Sequence, residues 1–128
     1  MLDPQAPAPG TFSINGNSLP QAPGWIADVS LRYMLALPGG ARLIASTDWA
    51  YRSRVQFFLY ESVEFADDWL LQGGLRHDYL FPNADIEVAL IGRNILNNTS
   101  PTGGIDFNNL TDYVNEPRFW GVELARRF

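Results

Sequence analysis

The sequence predicts an all-β fold, an antiparallel up-and-down meander of about five strands. After Trp25, apolar side chains recur at every second residue through most of the chain, which is the period of a strand with one apolar face. The alternating stretches are joined by a short connection and a long connection in turn. No stretch repeats its apolar residues with the 3.6-residue period of a helix.

Composition narrows the class of protein. The 128 residues are enough for one domain, and 18% of them are charged, below the roughly 25% of typical soluble domains. A net charge of −5 argues against a nucleic-acid partner, because such a surface needs a basic stripe. The chain has no cysteine, which excludes a disulfide, a thiol nucleophile and a thiolate metal site.

The first part of the chain is predicted to be a loop followed by a strand. Residues 1–24 are rich in Pro, Gly, Ala and Asn and favour a loop, with a short extended piece at the sequence TFSI. The first strand is predicted near 25–37, where the odd positions are apolar and the even positions include Asp28 and Arg32. The sequence PGG at 38–40 then predicts a tight turn.

Four more strands follow by the same alternation. The second is predicted near 41–57 and the third near 68–80, with the polar sequence YESVEFADD between them. The sequence LFPNA predicts the next turn, and the fourth strand is predicted near 85–96. A loop of about 20 residues then leads to the fifth strand, near 117–128, and this loop is much longer than an ordinary hairpin connection.

Alternation places one set of apolar side chains on a single face, predicted to be the convex face of a strongly twisted sheet with open edges. The residues expected on that face are Trp25, Val29, Leu31, Leu43, Trp49, Leu71, Leu75, Val88, Leu90, Val122 and Leu124.

Aromatic residues gather at the two predicted rims of this face. The four tryptophans fall toward the rim with the long connections, and Tyr79 and Phe128 fall toward the rim with the short turns. Ten steps separate Trp69 from Tyr79. A tilted strand crosses a bilayer in roughly 9–11 residues, between two aromatic girdles. The sheet is therefore predicted to be an open segment of a transmembrane β-barrel.

Four segments, in order, resemble the C-terminal end of TonB-dependent outer-membrane receptors. They are GNSLPQAPGW, DWAYRSRVQF, GRNILNNT and PRFWGVELARRF, and they span about Asn15 to Phe128. The family closes with an alternating run to a terminal Phe, at the periplasmic end of its last strand. Arg126 departs from the family, which usually has an aromatic residue there. An outward Arg near the membrane interface costs only about 0–1 kcal/mol and can snorkel.

The resemblance implies that residues 25–128 are the last five strands of a receptor barrel in the outer membrane of a Gram-negative bacterium. Such receptors use energy coupling to import a scarce large solute, such as a siderophore complex, a cobalamin or an oligosaccharide. The implied partners are outer-membrane lipid, the remaining barrel strands, the plug domain, and the TonB complex, which would be reached through the plug and TonB box. Because about eight strands are the practical minimum for a barrel, we expect the chain to be a fragment.

The alternative from the residues is a soluble β-barrel or sandwich that binds a small apolar ligand in its interior. An enzyme is not expected. His77 is the only histidine, and alternation puts its side chain on the face opposite that of Asp78, whereas a Ser-His-Asp site needs its groups to converge. A lone histidine also argues against zinc, and no cofactor is predicted.

Two sets of polar residues are candidates for binding. The predicted polar face carries Asp28, Arg32, Arg42, Asp48, Arg52, Arg54, Arg76, Asp78, Glu87, Arg93, Glu123 and Arg127. Their mixed signs favour ion pairs between strands and contacts with a plug over an anion-binding lumen. The long loop is the most ligand-like stretch, with Asp106, Phe107, Asp112 and Tyr113, but it lacks the spacing of a calcium loop. A solvated loop is favoured, and no ligand-binding residue is assigned.

Overall fold

The computed structural model describes residues 14–61, 63–82, 85–105 and 111–126. The predicted all-β fold is confirmed. The chain divides into two compact units. The larger unit comprises Ala27–Tyr51, Leu71–Thr99 and Glu116–Phe128, and the smaller comprises Met1–Ile26, Arg52–Leu70 and Ser100–Asn115. The predicted extended piece at TFSI lies mostly outside the described residues.

Five long strands form one antiparallel sheet in the order β1-β2-β5-β6-β9, so each strand lies beside the next long strand along the chain. This order is the predicted meander. The described strands are β1 (Ile26–Ala36), β2 (Arg42–Arg52), β3 (Val55–Gln56), β4 (Ala66–Asp67), β5 (Leu70–Leu80), β6 (Ile86–Arg93), β7 (Pro101–Ile105), β8 (Thr111–Val114) and β9 (Phe119–Arg126).

The register of the sheet separates an apolar face from a polar face. Leu90 lies opposite His77 on one side and opposite Val122 on the other, and directly opposite residues share a face. Val88 and Leu124 are paired in the same way two residues further along. The predicted apolar face is therefore correct for β5, β6 and β9. Leu90, Val122 and Leu124 on this face are exposed, with Val122 75% accessible, whereas Leu71, Leu75 and Val88 are half-buried.

The first short turn forms as predicted, whereas the predicted turn at LFPNA includes residues 83 and 84, which lie outside the described residues. Pro38–Gly40 forms a single 3-10 turn in which Gly39 and Gly40 have φ values of 83° and 89°, a region that favours glycine. The turn is closed by a hydrogen bond in which the Leu37 N–H donates to the Ala41 carbonyl, at 2.9 Å.

Two predicted strands are too long. The second strand, predicted near 41–57, ends at Arg52, and Val55 and Phe57 are buried in the smaller unit instead of lying on the exposed apolar face. The cause lies at Ser53, whose N–H donates to the Trp25 carbonyl while its Oγ accepts from the Trp25 N–H, both at 3.0 Å. The fourth strand, predicted near 85–96, ends at Arg93 because Asn94 turns the chain with a φ of 44°.

The predicted loop between the fourth and fifth long strands contains two strands that the sequence analysis did not predict. The strands β7 and β8 pair there as an antiparallel hairpin with an irregularity between Pro101 and Gly103. In the same unit, β3 pairs with β4, and the core is formed by Val55, Phe57, Tyr60 and Phe65. Gly104 lies against the Phe65 ring, because a Cβ at Gly104 would be only 2.8 Å from ring atoms.

Candidate functional site

An ion-pair network centred on Arg76 occupies the polar face of the sheet. The Arg76 guanidinium donates to Asp78 Oδ1 at 2.6 Å, to both carboxylate oxygens of Glu123 at 3.1 and 3.2 Å, and to Glu87 Oε1 at 3.4 Å. Forked contact of a guanidinium with both oxygens of a carboxylate fixes geometry as well as charge. The register of the sheet brings these side chains together on one face, since Asp78 lies opposite Ala89, which lies opposite Glu123. The network therefore cross-links β5, β6 and β9.

A cleft of about 450 Å³ adjoins this network and reaches across β1 and β2. Arg32, Asp48, Arg76, Asp78 and Glu87 contribute charged groups to it. A second, looser pair joins Arg93 Nη1 to Asp48 Oδ2 at 3.7 Å, and both side chains are well exposed. The predicted ion pairs between strands are thus present for five of the polar-face residues, Asp48, Arg76, Glu87, Arg93 and Glu123, whereas Asp78 pairs with Arg76 of its own strand.

Arg52 and Arg54 were predicted on the polar face of the sheet. Arg52 is the last residue of β2, and Arg54 lies beyond the end of that strand, in the smaller unit. Arg52 Nη2 lies 2.5 Å from Asp67 Oδ2, and its guanidinium lies 6.0 Å from the Phe57 ring centre. Both side chains of the Arg52–Asp67 pair are largely buried. This ion pair lies beside Phe57, a core residue of the smaller unit. Arg127 lies outside the described residues.

His77 and Asp78 do not converge. His77 lies on the apolar face opposite Leu90 and is exposed, whereas Asp78 is buried on the polar face beside Arg76. Among the described residues, no three histidine, aspartate or glutamate side chains lie close enough together to hold a metal ion.

Two asparagine side chains join the two ends of the connection between β6 and β9 by hydrogen bonds. Asn94 is buried, and its Nδ2 donates to the Asn98 carbonyl at 2.8 Å and to the Glu116 carbonyl at 2.9 Å. Asn97 Oδ1 accepts from the Arg118 N–H at 3.2 Å. Asn94 and Asn97 both have positive φ, which asparagine tolerates better than most residues. The cluster of asparagines in the sequence RNILNNT is the feature from which these hydrogen bonds could have been predicted.

Two aromatic side chains of the apolar face lie over glycines of a neighbouring strand. A Cβ at Gly73 or at Gly92 would lie 2.5 Å from the ring of Trp49 or Trp120, respectively. These two tryptophans therefore lie on the apolar face, as predicted. Trp25 and Trp69 are exposed, and at the other end of β5 the Tyr79 and Phe81 rings meet edge to face at 4.8 Å. Phe128 lies outside the described residues.

No helix within the described residues is long and apolar enough to cross a membrane. Comparisons of the chain with protein-family models, with curated proteins and with solved structures find no match.

Substitution of Arg76 tests whether the polar-face network stabilises the sheet. Arg76→Gln should lower the free energy of unfolding by about 1–2 kcal/mol, since it leaves three carboxylates facing one another and the site is only partly buried. Urea unfolding of the chain measures the change. Arg93→Gln, which removes the exposed pair with Asp48, is the matched control and should change stability by less than about 0.5 kcal/mol. Equal effects of the two substitutions would contradict the assignment.

Proposed function

We infer that this chain is a wall segment of a TonB-dependent receptor in the outer membrane of a Gram-negative bacterium. The receptor would bind a scarce large solute at the cell surface and import it by energy coupling. The observation that carries the proposal is the division of one open antiparallel sheet into an exposed apolar face and a charged face that is internally paired.

The apolar face supports a lipid partner. Leu31, Val122 and Leu124 are each at least 65% exposed, and Val29 and Leu90 are exposed beside them. Burial of apolar area is worth about 25 cal/mol per Å². Large exposed apolar patches on proteins mark contact with a membrane or another protein. A soluble protein would leave this face in water, whereas a bilayer covers it.

The charged face suits a polar barrel interior. In transmembrane barrels the lumen side of each strand is polar and the lipid side apolar. In this arrangement Arg76 and its three carboxylates would face the plug domain of the complete receptor. The outer strands β1 and β9 would pair with the remaining strands of the wall, since unpaired strand edges inside a bilayer cost several kcal/mol for each polar group.

The two long connections would provide the surface exposed outside the cell. They join β2 to β5 and β6 to β9, and in an antiparallel meander both leave the sheet at the same end. These connections would contribute to solute capture. We assign no chemical step to the chain, and the proposal needs no cofactor.

Removal of the β7–β8 hairpin from the complete receptor tests whether this hairpin contributes to solute uptake. Residues 101–114 would be replaced by two glycines, because Ser100 and Asn115 already bond to each other through both backbone and side chain, at 3.1 and 2.7 Å. The strain should grow poorly on a limiting iron–siderophore complex, cobalamin or oligosaccharide, each supplied in turn. The receptor should still fractionate with the outer membrane and shift on a gel when heated.

The control replaces Pro38–Gly40, at the other end of the sheet, by Asn-Gly and should leave growth unchanged. Normal growth of the hairpin variant on all three solutes would refute a role in uptake. Recovery of the folded protein in aqueous buffer without detergent would instead support the soluble ligand-binding module.

A further inference from the structure

Strand β1 is an open and regular edge of the sheet. It is the first strand in the sheet order, so it pairs with β2 on one side only. All eleven of its residues are exposed, it contains no proline, and none of its residues has a positive φ. Prolines and bulges are among the features that keep edge strands from pairing with other chains. The backbone of β1 is therefore in the right form to accept a further strand.

The backbone groups of β1 alternate between the β2 side and the open edge. Just outside the ends of β1, the Trp25 carbonyl accepts from the Ser53 N–H at 3.0 Å, and the Leu37 N–H donates to the Ala41 carbonyl at 2.9 Å. Ser53 and Ala41 flank β2, so both bonds are directed to the β2 side. Because successive residues of a strand bond to opposite sides, the odd residues of β1 bond toward β2. The even residues present their N–H and C=O groups to the open edge.

The charges of β1 are self-complementary. Asp28 and Arg32 are its only charged residues, and neither forms an ion pair with another described residue. Both are even residues, and Ser30 lies midway between them. A two-fold axis at Ser30 would place Asp28 opposite the partner's Arg32, and Arg32 opposite the partner's Asp28. Directly opposite residues share a face, so the four charges would form two ion pairs.

The same register also matches the backbone and the apolar face. Even residues would lie opposite even residues, so the outward N–H and C=O groups would meet in about ten backbone hydrogen bonds. On the apolar face, Val29 would lie opposite the partner's Leu31. A shift by two residues would separate the opposite charges. A shift by one residue would place apolar side chains opposite polar ones, which a sheet with distinct faces disfavours.

We propose that β1 binds a second copy of this chain, antiparallel about a two-fold axis at Ser30, and joins two five-stranded sheets into one. The other edge strand, β9, lacks this complementarity. Its Glu123 and Arg126 lie on opposite faces by alternation, and Glu123 is already bound by Arg76. The proposal goes beyond the wall function and does not rest on it. In the complete receptor, the neighbouring strand of the wall would occupy the same edge.

Charge reversal tests the pairing, with sedimentation equilibrium of the full chain in density-matched detergent micelles as the measurement. The parent chain should dimerise reversibly. Asp28→Arg and Arg32→Asp should each weaken dimerisation at least about tenfold, because each substitution places like charges opposite one another. An equimolar mixture of the two variants should dimerise as the parent does, since each like-charge contact becomes an opposite pair. Arg42→Asp, at an exposed arginine of β2, makes the same change in net charge as Arg32→Asp and should leave dimerisation unchanged.

Cross-linking locates the axis. The chain has no cysteine, so Ser30→Cys introduces a single thiol. This variant should form a disulfide-linked dimer under mild oxidation, because the Cα atoms of such an opposite pair lie about 5.5 Å apart. Val122→Cys, at an exposed position of β9, is the control and should remain largely unlinked.

Four results would overturn the proposal. The first is a parent chain that stays monomeric, and the second is a dimer that neither charge reversal weakens. The third is a mixture of the two reversed variants that fails to dimerise, because a merely structural effect of the substitutions would not be rescued by mixing. The fourth is cross-linking of Val122→Cys that equals or exceeds that of Ser30→Cys.

Discussion

Val122→Arg should lower the free energy of unfolding by about 2–4 kcal/mol when the complete receptor is folded in phospholipid vesicles. Val122 lies near the middle of β9 and is 75% exposed on the apolar face. In water an arginine at so exposed a position would change stability little. At the centre of a bilayer the same side chain must bring its charge into hydrocarbon or distort the lipid around it. The expected loss therefore measures whether lipid covers this face.

Val114→Arg is the matched control for this measurement. Val114 ends β8 in the smaller unit and is also well exposed, so the chemical change and the initial exposure are similar. It should change the free energy of unfolding by less than about 0.5 kcal/mol in the same vesicles. If Val122→Arg is as neutral as Val114→Arg, the apolar face does not contact lipid and the membrane proposal fails.

The sheet was predictable because its information is local. A period of two assigns each side chain to a face, and the register of β5, β6 and β9 then follows from matching apolar faces. The predicted third strand, 68–80, differs by two residues from β5 at its start and ends at the same residue. The polar face was also foreseeable as a set of charges. The position of Arg76 at the centre of the ion-pair network could not be predicted, because it depends on the register of the strands, which alternation alone does not specify.

The smaller unit was missed because its information is not local. Val55 and Phe57 continue the odd-position pattern of β2, yet they pack with Tyr60 and Phe65 to form a separate core. The β7–β8 hairpin has little apolar periodicity, and its position against the Phe65 ring depends on the space above Gly104. Likewise, the sequence does not distinguish Gln56 from the other polar residues at even positions, because residues that surround it are distant in sequence.

Phe65→Ala should destabilise the smaller unit by about 3–5 kcal/mol, the usual cost of truncating a fully buried phenylalanine. Phe65 is only 1% exposed, and its ring meets the Phe58 ring edge to face at 4.5 Å. Its backbone carbonyl also accepts a hydrogen bond from the Phe57 N–H at 2.9 Å. Loss of the ring would leave a cavity in a core of only a few side chains, which has little capacity to collapse around it.

The consequence should be local, because the sheet of the larger unit has its own hydrogen bonds and ion pairs. In the Phe65→Ala variant, backbone amides in 55–67 and 101–105 should exchange with solvent much faster, while those of β5, β6 and β9 keep the rates of the parent chain. Val63→Ala, at an 80% exposed position in the 3-10 turn Val63–Phe65, is the control and should leave both regions unchanged. Uniformly faster exchange across both regions would contradict the division into two units and indicate that the aromatic core also supports the sheet.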